Sequence, residues 1–189
     1  MLFKEKRTDF VCLLETNGVF MGKRLFLSAF LFFSLFSIHA VSLTFQIIQH
    51  CSSLKDVCES SLRMEDEIMN AFFEAGYIVS NIPAVPSESE ADDDKIFKAG
   101  INEAAESSFD NFLALHIYFD KQAISNGEDP ELGSIYAISW KMGEVKSGRI
   151  IDDGRRSIKK TVARDSESNM RKSAQEFVLH IQKILRANT

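Results

Sequence analysis

The period of the hydrophobic positions changes repeatedly along the 189-residue chain, and each change marks an element. Residues 43–49, Leu-Thr-Phe-Gln-Ile-Ile-Gln, are rich in strand formers and predict a first strand. Leu62, Ile68, Met69, Phe72 and Phe73 then form one helical stripe. Ser60 or Ser61 can cap this helix, and Glu65, Asp66 and Glu67 lie near its positive end. Gly76 stops it, and residues 77–80 predict a short second strand ahead of Pro83 and Pro86. Residues 83–94 combine two prolines with serines and carboxylates, the composition of a solvated acidic loop.

A second helix, capped by Asp94, places Phe97, Ile101, Ala104, Ala105 and Ser108 at helical spacing. Residues 112–119 are apolar except for His116, as in a central strand covered on both faces. After a polar loop, Tyr136, Ile138, Trp140 and Met142 alternate with Ala137, Ser139 and Lys141, a period of two that predicts another strand. Lys146-Ser147-Gly148 turns the chain into a last strand from 149 to about 163, interrupted by a turn or bulge at Asp152-Asp153-Gly154. Finally Ser166 or Ser168 caps a helix whose Met170, Ala174, Phe177, Val178, Ile181, Ile184 and Leu185 share a face. The expected fold is a single α/β domain over residues 43–189: a mixed β-sheet with helices packed on it, in the order β-α-β-α-β-β-β-α, after an N-terminal signal segment.

The first forty residues change the picture from a plain domain to an exported one. Six of the sixteen phenylalanines lie between Phe20 and Phe36. Lys23 and Arg24 precede an uncharged apolar run at 25–38, and Ala40-Val41-Ser42 has the small-x-small form of a cleavage site. Residues 21–42 therefore predict a signal peptide cut after Ser42, and residues 1–20 a mis-called start or a disordered extension. The uncharged stretch 25–48 is also long enough to span a bilayer, so an uncleaved membrane-anchored module is the competing reading.

Export leaves two cysteines, Cys51 and Cys58, in an oxidising compartment, as a disulfide or as two thiols. On one helix their seven-residue spacing would hold them about 10 Å apart, so a bridge needs a loop there. No paired histidine lies beside them in sequence, and neither a metal nor a cofactor is expected.

Four stretches carry a family resemblance: 72–79 (Phe-Phe-Glu-Ala-Gly-Tyr-Ile-Val), the helix with Ala99-Gly100-Ile101 and Ala104-Ala105, the apolar strand 112–119, and 144–151 (Glu-Val-Lys-Ser-Gly-Arg-Ile-Ile). Together they resemble the amino-terminal domain of TolB and its relatives, which include the curli-secretion lipoprotein and the lipoprotein activator of penicillin-binding proteins. In 144–151 Ser147 replaces the usual threonine of the family's hairpin turn. The first strand lacks the usual valine-aspartate ending, and the Cys51 to Cys58 stretch replaces a glycine-containing loop. The resemblance implies an envelope domain that binds other proteins or assembles, and it supplies no catalytic residue.

Common nucleotide-binding, hydrolase and metalloprotease signatures are missing from the sequence. Asp92-Asp93-Asp94 lacks the alternating ligands of a calcium loop and is expected to be a solvated helix start. Charge is unevenly placed: residues 43–144 carry 6 basic and 19 acidic side chains, and residues 145–189 carry 11 and 5. Arg149, Arg155, Arg156, Lys159, Lys160 and Arg164 form a candidate basic patch for an acidic partner or membrane head groups. The same residues also suit the guarding of a sheet edge. Net acidity and export disfavour nucleic acid. The expected function is a non-enzymatic exported envelope protein that binds another envelope protein or itself. The alternative is a small exported hydrolase using His116, Asp120 and Ser139.

Overall fold

The structure, a computed structural model, describes residues 41–51, 54–120, 130, 134–158 and 166–188. The extension 1–20 and the expected signal segment up to residue 40 lie outside these. Contacts divide the chain after His39 into two units, and every element named below belongs to the second.

The strands are β1 (Ser42–His50), β2 (Ile78–Ser87), β3 (Asn111–Phe119), β4 (Ile135–Glu144) and β5 (Ile150–Ser157). The helices are α1 (Glu59–Glu74), α2 (Asp93–Glu106) and α3 (Ser166–Asn188), and a 3-10 turn at Glu90–Asp92 leads into α2. The order is the expected β-α-β-α-β-β-β-α. The sheet runs β2-β1-β3-β4-β5, with β1 parallel to β2 and β3, and the β3/β4 and β4/β5 pairs antiparallel.

From β1 the chain steps outward to β2 and then back across β1 to β3. Right-handed crossovers in opposite directions place α1 and α2 on opposite faces of the sheet. All nine residues of β3 are buried, as its position in the middle of the sheet requires. On one face Phe45, Ile47, Leu113, Leu115 and Ile117 meet α1 through Ile68 and Phe72, and α3 through Val178, Ile181 and Leu185. On the other, Ile48, Phe112 and Ala114 meet Phe97 and Ala104 of α2. This helix lies close to the sheet because Gly100 has no side chain: a β-carbon there would stand 2.1 Å from Phe112 Cζ.

Several expectations are corrected. The segment expected as a loop from Pro83 is strand as far as Ser87. β2 is an edge, so prolines can sit where no ladder hydrogen bond is needed. Asp152-Asp153-Gly154 is no turn but the middle of β5, and the irregularity of that pair lies between Met142 and Gly143. Leu62 and Phe73, expected on the buried stripe of α1, are 46% and 75% exposed. Residues 42–48 belong to β1, so a membrane helix cannot reach Ile48 in this fold. Among the described residues no helix is long and apolar enough to cross a membrane.

Candidate functional site

Parallel strands end on the same side of a sheet, and ligands in α/β proteins gather at those carboxyl ends. His50 is the last residue of β1 and lies opposite Tyr118 of β3; two residues back, Ile48 lies opposite His116. Alternation puts His50, His116 and Tyr118 on the face that α2 covers. β2 ends at Ser87, and the short 3-10 turn brings Asp93, in the first turn of α2, over the same strand ends.

The three side chains meet there. Asp93 Oδ2 lies 3.2 Å from His50 Nε2 and 3.1 Å from His116 Nδ1. The two nitrogens are 3.3 Å apart. Ser87 Oγ lies 3.3 Å from the other carboxylate oxygen, Asp93 Oδ1, and 3.0 Å from Ser89 O, with one proton to share between the two acceptors. The His50 ring stacks on Tyr118, with centroids 4.6 Å apart and planes 7° from parallel. Around this centre Arg155 stacks on Tyr118 at 4.2 Å and pairs with Glu90 at 3.2 Å, while Lys141 pairs with Asp94 at 2.6 Å. Burial first, then the charges of His50 and Lys141, bring His116 from 6.5 down to about 4. Burial raises Asp93 above its ordinary value, against the opposing pull of His50 and the Ser87 hydrogen bond.

Of the hydrolase candidates, Ser139 lies opposite His116 in the β3/β4 register, but its hydroxyl shares a 3.1 Å hydrogen bond with Tyr118. Asp120 lies beyond the end of β3, where its N–H donates to Ser134 O at 2.8 Å, and the carboxylate that His116 meets is that of Asp93. His50 and Asp93 were missed as site residues because they are 43 positions apart in the sequence, and Asp93 is hidden in an acidic run. The available signal was a histidine near the carboxyl end of each of two apolar strands.

Cys51 and Cys58 are both buried, on either side of the loop between β1 and α1. Gln49 organises that loop: its Oε1 accepts from the Cys58 N–H and from Ser61 Oγ, each at 2.8 Å, and its Nε2 donates to Asp56 O at 3.1 Å. Cys58 Sγ lies 3.5 Å from Ser61 Oγ.

The basic patch divides. Arg155 and Arg156 are neighbours on β5 and so point to opposite faces, where Arg155 meets Glu90 and Arg156 meets Glu176 at 3.2 Å. Arg149 lies exposed just before β5. Lys159, Lys160 and Arg164 lie outside the described residues.

The fold defines an α/β domain with a half-buried His-Asp-His cluster at its parallel strand ends. The chain belongs to the family described as "Uncharacterised protein", whose profile matches residues 42–185. No curated protein matches it. Among solved structures it is similar to the PelC dodecamer from Paraburkholderia phytofirmans, at 8% identity over 72% of this chain and 85% of that one, with a TM-score of 0.41. The LpoB C-terminal domain from Salmonella enterica aligns at 14% identity over 66% and 87%, TM-score 0.38. Lipoprotein GNA1162 from Neisseria meningitidis aligns at 16% over 76% and 96%, TM-score 0.40. Likenesses of this degree assign no function to the chain, and the TolB motifs stay a resemblance.

Proposed function

We propose that this is an exported, non-enzymatic envelope domain that assembles with a second copy of itself along the outer edge of β5. The observation that carries the reading is the charge order of that strand, Asp152-Asp153-Gly154-Arg155-Arg156. Two copies of β5 joined antiparallel about a two-fold axis perpendicular to the sheet must pair residues of the same face, so paired numbers differ by an even count. With the axis at Gly154, Asp153 faces Arg155 of the second copy and Asp152 faces Arg156. Shifting the axis by one residue to either side loses this complementarity.

The two edges of the sheet differ in the required sense. β2 carries exposed Pro83 and Pro86, which cannot donate to a new ladder. β5 has no proline and is largely exposed, and among the described residues no strand pairs with its outer side. Besides the stacking of Arg155 on Tyr118, the arginines' present partners are Glu90 and Glu176, in exposed ion pairs worth about 0–1 kcal/mol, so exchanging these two carboxylates for those of a second copy costs little. A single strand pair buries less than the roughly 1,200–2,000 Å² of a standard interface, so the dimer is weak and concentration-dependent. Light scattering is expected to show a mass that rises from one copy towards two with concentration; a fixed single-copy mass at the highest soluble concentration would refute the assembly.

The signal pattern at 21–42 supports export, and the cysteine pair belongs to the same proposal, since a bridge would close the loop that Gln49 pins. Ser42 is already part of β1: its hydroxyl and N–H meet Asp110 Oδ2 at 2.6 and 3.0 Å. Cleavage after Ser42 would remove this pair, and a cut before it keeps the pair. Amino-terminal sequencing and intact mass of the envelope fraction, without reductant, are expected to give a chain starting shortly before Ser42 and two protons light. A cytosolic chain retaining Met1 would contradict the export.

A further inference from the structure

His50 Nε2, His116 Nδ1 and Asp93 Oδ2 form a nearly equilateral triangle with sides of 3.3, 3.2 and 3.1 Å. With Asp93 ionised, protons alone satisfy such a triangle poorly. If both nitrogens carry hydrogen, both donate to Asp93 and two N–H groups crowd each other across 3.3 Å. If one carries hydrogen, the lone pair of the other nitrogen faces a carboxylate oxygen. If neither does, three lone pairs converge on one point. A cation at that point meets all three.

The dimensions agree. Zinc bonds nitrogen and oxygen at about 2.0–2.1 Å, so neighbouring ligand atoms of a tetrahedral site stand about 3.3–3.4 Å apart, and those of an octahedral site about 2.8–3.0 Å. The three observed sides lie between these limits. We propose that His50, Asp93 and His116 bind one divalent transition-metal ion of the zinc class, with at least one coordination position left for water or another Lewis base. Two imidazoles and one carboxylate select zinc, cobalt or nickel over magnesium or calcium, which take oxygen.

The surroundings are those of a ligand set. Ser87, whose hydroxyl proton is shared between Ser89 O and the second oxygen of Asp93, supplies the kind of outer contact that orients a metal-binding carboxylate. Tyr118 fixes the plane of His50 by stacking. The two nearby cations, Lys141 and Arg155, are each matched by a carboxylate, Asp94 and Glu90, so the net local charge is that of Asp93. Among the described residues, no other His, Cys, Asp or Glu joins the group, which is the three-ligand pattern of open sites rather than closed structural ones. The inference goes beyond the assembly reading and is independent of it: an Asp153→Arg chain is expected to bind metal as the native chain does.

The test is calorimetric titration of the full chain with zinc, paired with the visible absorption of the cobalt-loaded protein. One ion per chain and a ligand-field spectrum are expected. Asp93→Asn, which keeps the shape of the side chain, is expected to bind at least tenfold more weakly while its circular dichroism stays native. Ser87→Ala is expected to lose on the order of tenfold. A Cys51→Ser, Cys58→Ser chain is expected to bind as tightly as the native one. Native-like binding by folded Asp93→Asn, no binding by the native chain, or loss of binding only in the cysteine variant would each overturn the proposal.

Discussion

Gly154 lies beneath the indole of Trp140, its partner in the β4/β5 register, so closely that a β-carbon there would stand 2.4 Å from Cζ2. Trp140 is held in place by its Nε1 donating to Asp152 Oδ2 at 2.6 Å and by edge contacts with Phe177 and His180 of α3. The glycine thus lets the ring lie flat over β5. Gly154→Ala is expected to lower stability by roughly 1–3 kcal/mol, the usual cost of an extra carbon in a filled space. Urea denaturation checks it, and an unchanged midpoint would show that the ring can move aside.

Gln49 is fully buried and makes three hydrogen bonds, two to the β1–α1 loop at Asp56 and Cys58 and one to Ser61 in the first turn of α1. Gln49→Leu keeps the approximate shape and leaves the Cys58 N–H, the Ser61 hydroxyl and the Asp56 carbonyl without this partner. The expected loss is roughly 2–4 kcal/mol. Gln49→Glu keeps the acceptor and removes the donor, so a second denaturation series separates the two sides of the network.

The pH dependence of the metal-free chain follows from His116, whose folded value of about 4 lies below the ordinary 6.5. Between these values the unfolded chain takes up a proton that the folded chain refuses. The contribution of His116 is therefore fully present above 6.5 and is lost as pH falls towards about 4. Its size is at most on the order of 3 kcal/mol. Asp93 works the other way at the acidic end: burial raises it, so the folded chain keeps a proton that the unfolded chain has released, and stability falls as pH rises through that range. Denaturation midpoints in chelator are expected to drop from pH 7 to about pH 4. His116→Gln is expected to flatten that slope, and an equal slope in the variant would contradict the assignment.

The element order was legible because period-two and helical patterns survive in β4, in α1 and most clearly in α3. Leu62 and Phe73 were misplaced because hydrophobic type alone does not show which part of a helix finds a neighbour. The continuation of β2 through Pro83 and Pro86 was hidden because proline excludes an inner strand and not an edge. Asp152-Asp153-Gly154 has the composition of a turn, and only the indole lying across the strand explains a glycine there. His116 was visible as the one polar residue of an apolar strand. Its partners were not, since a crossover and a short 3-10 turn bring His50 and Asp93 to it.

The proposed assembly depends above all on β5 meeting its own copy with Asp153 opposite Arg155. Asp153→Arg and Arg155→Asp each place like charges across the axis, and a one-to-one mixture of the two restores opposite charges at both positions. Sedimentation equilibrium of the two chains, alone and mixed, tests this directly. The pairing predicts a single-copy mass for each variant and a two-copy mass for the mixture. Two-copy mass in either variant alone, or none in the mixture, would contradict it.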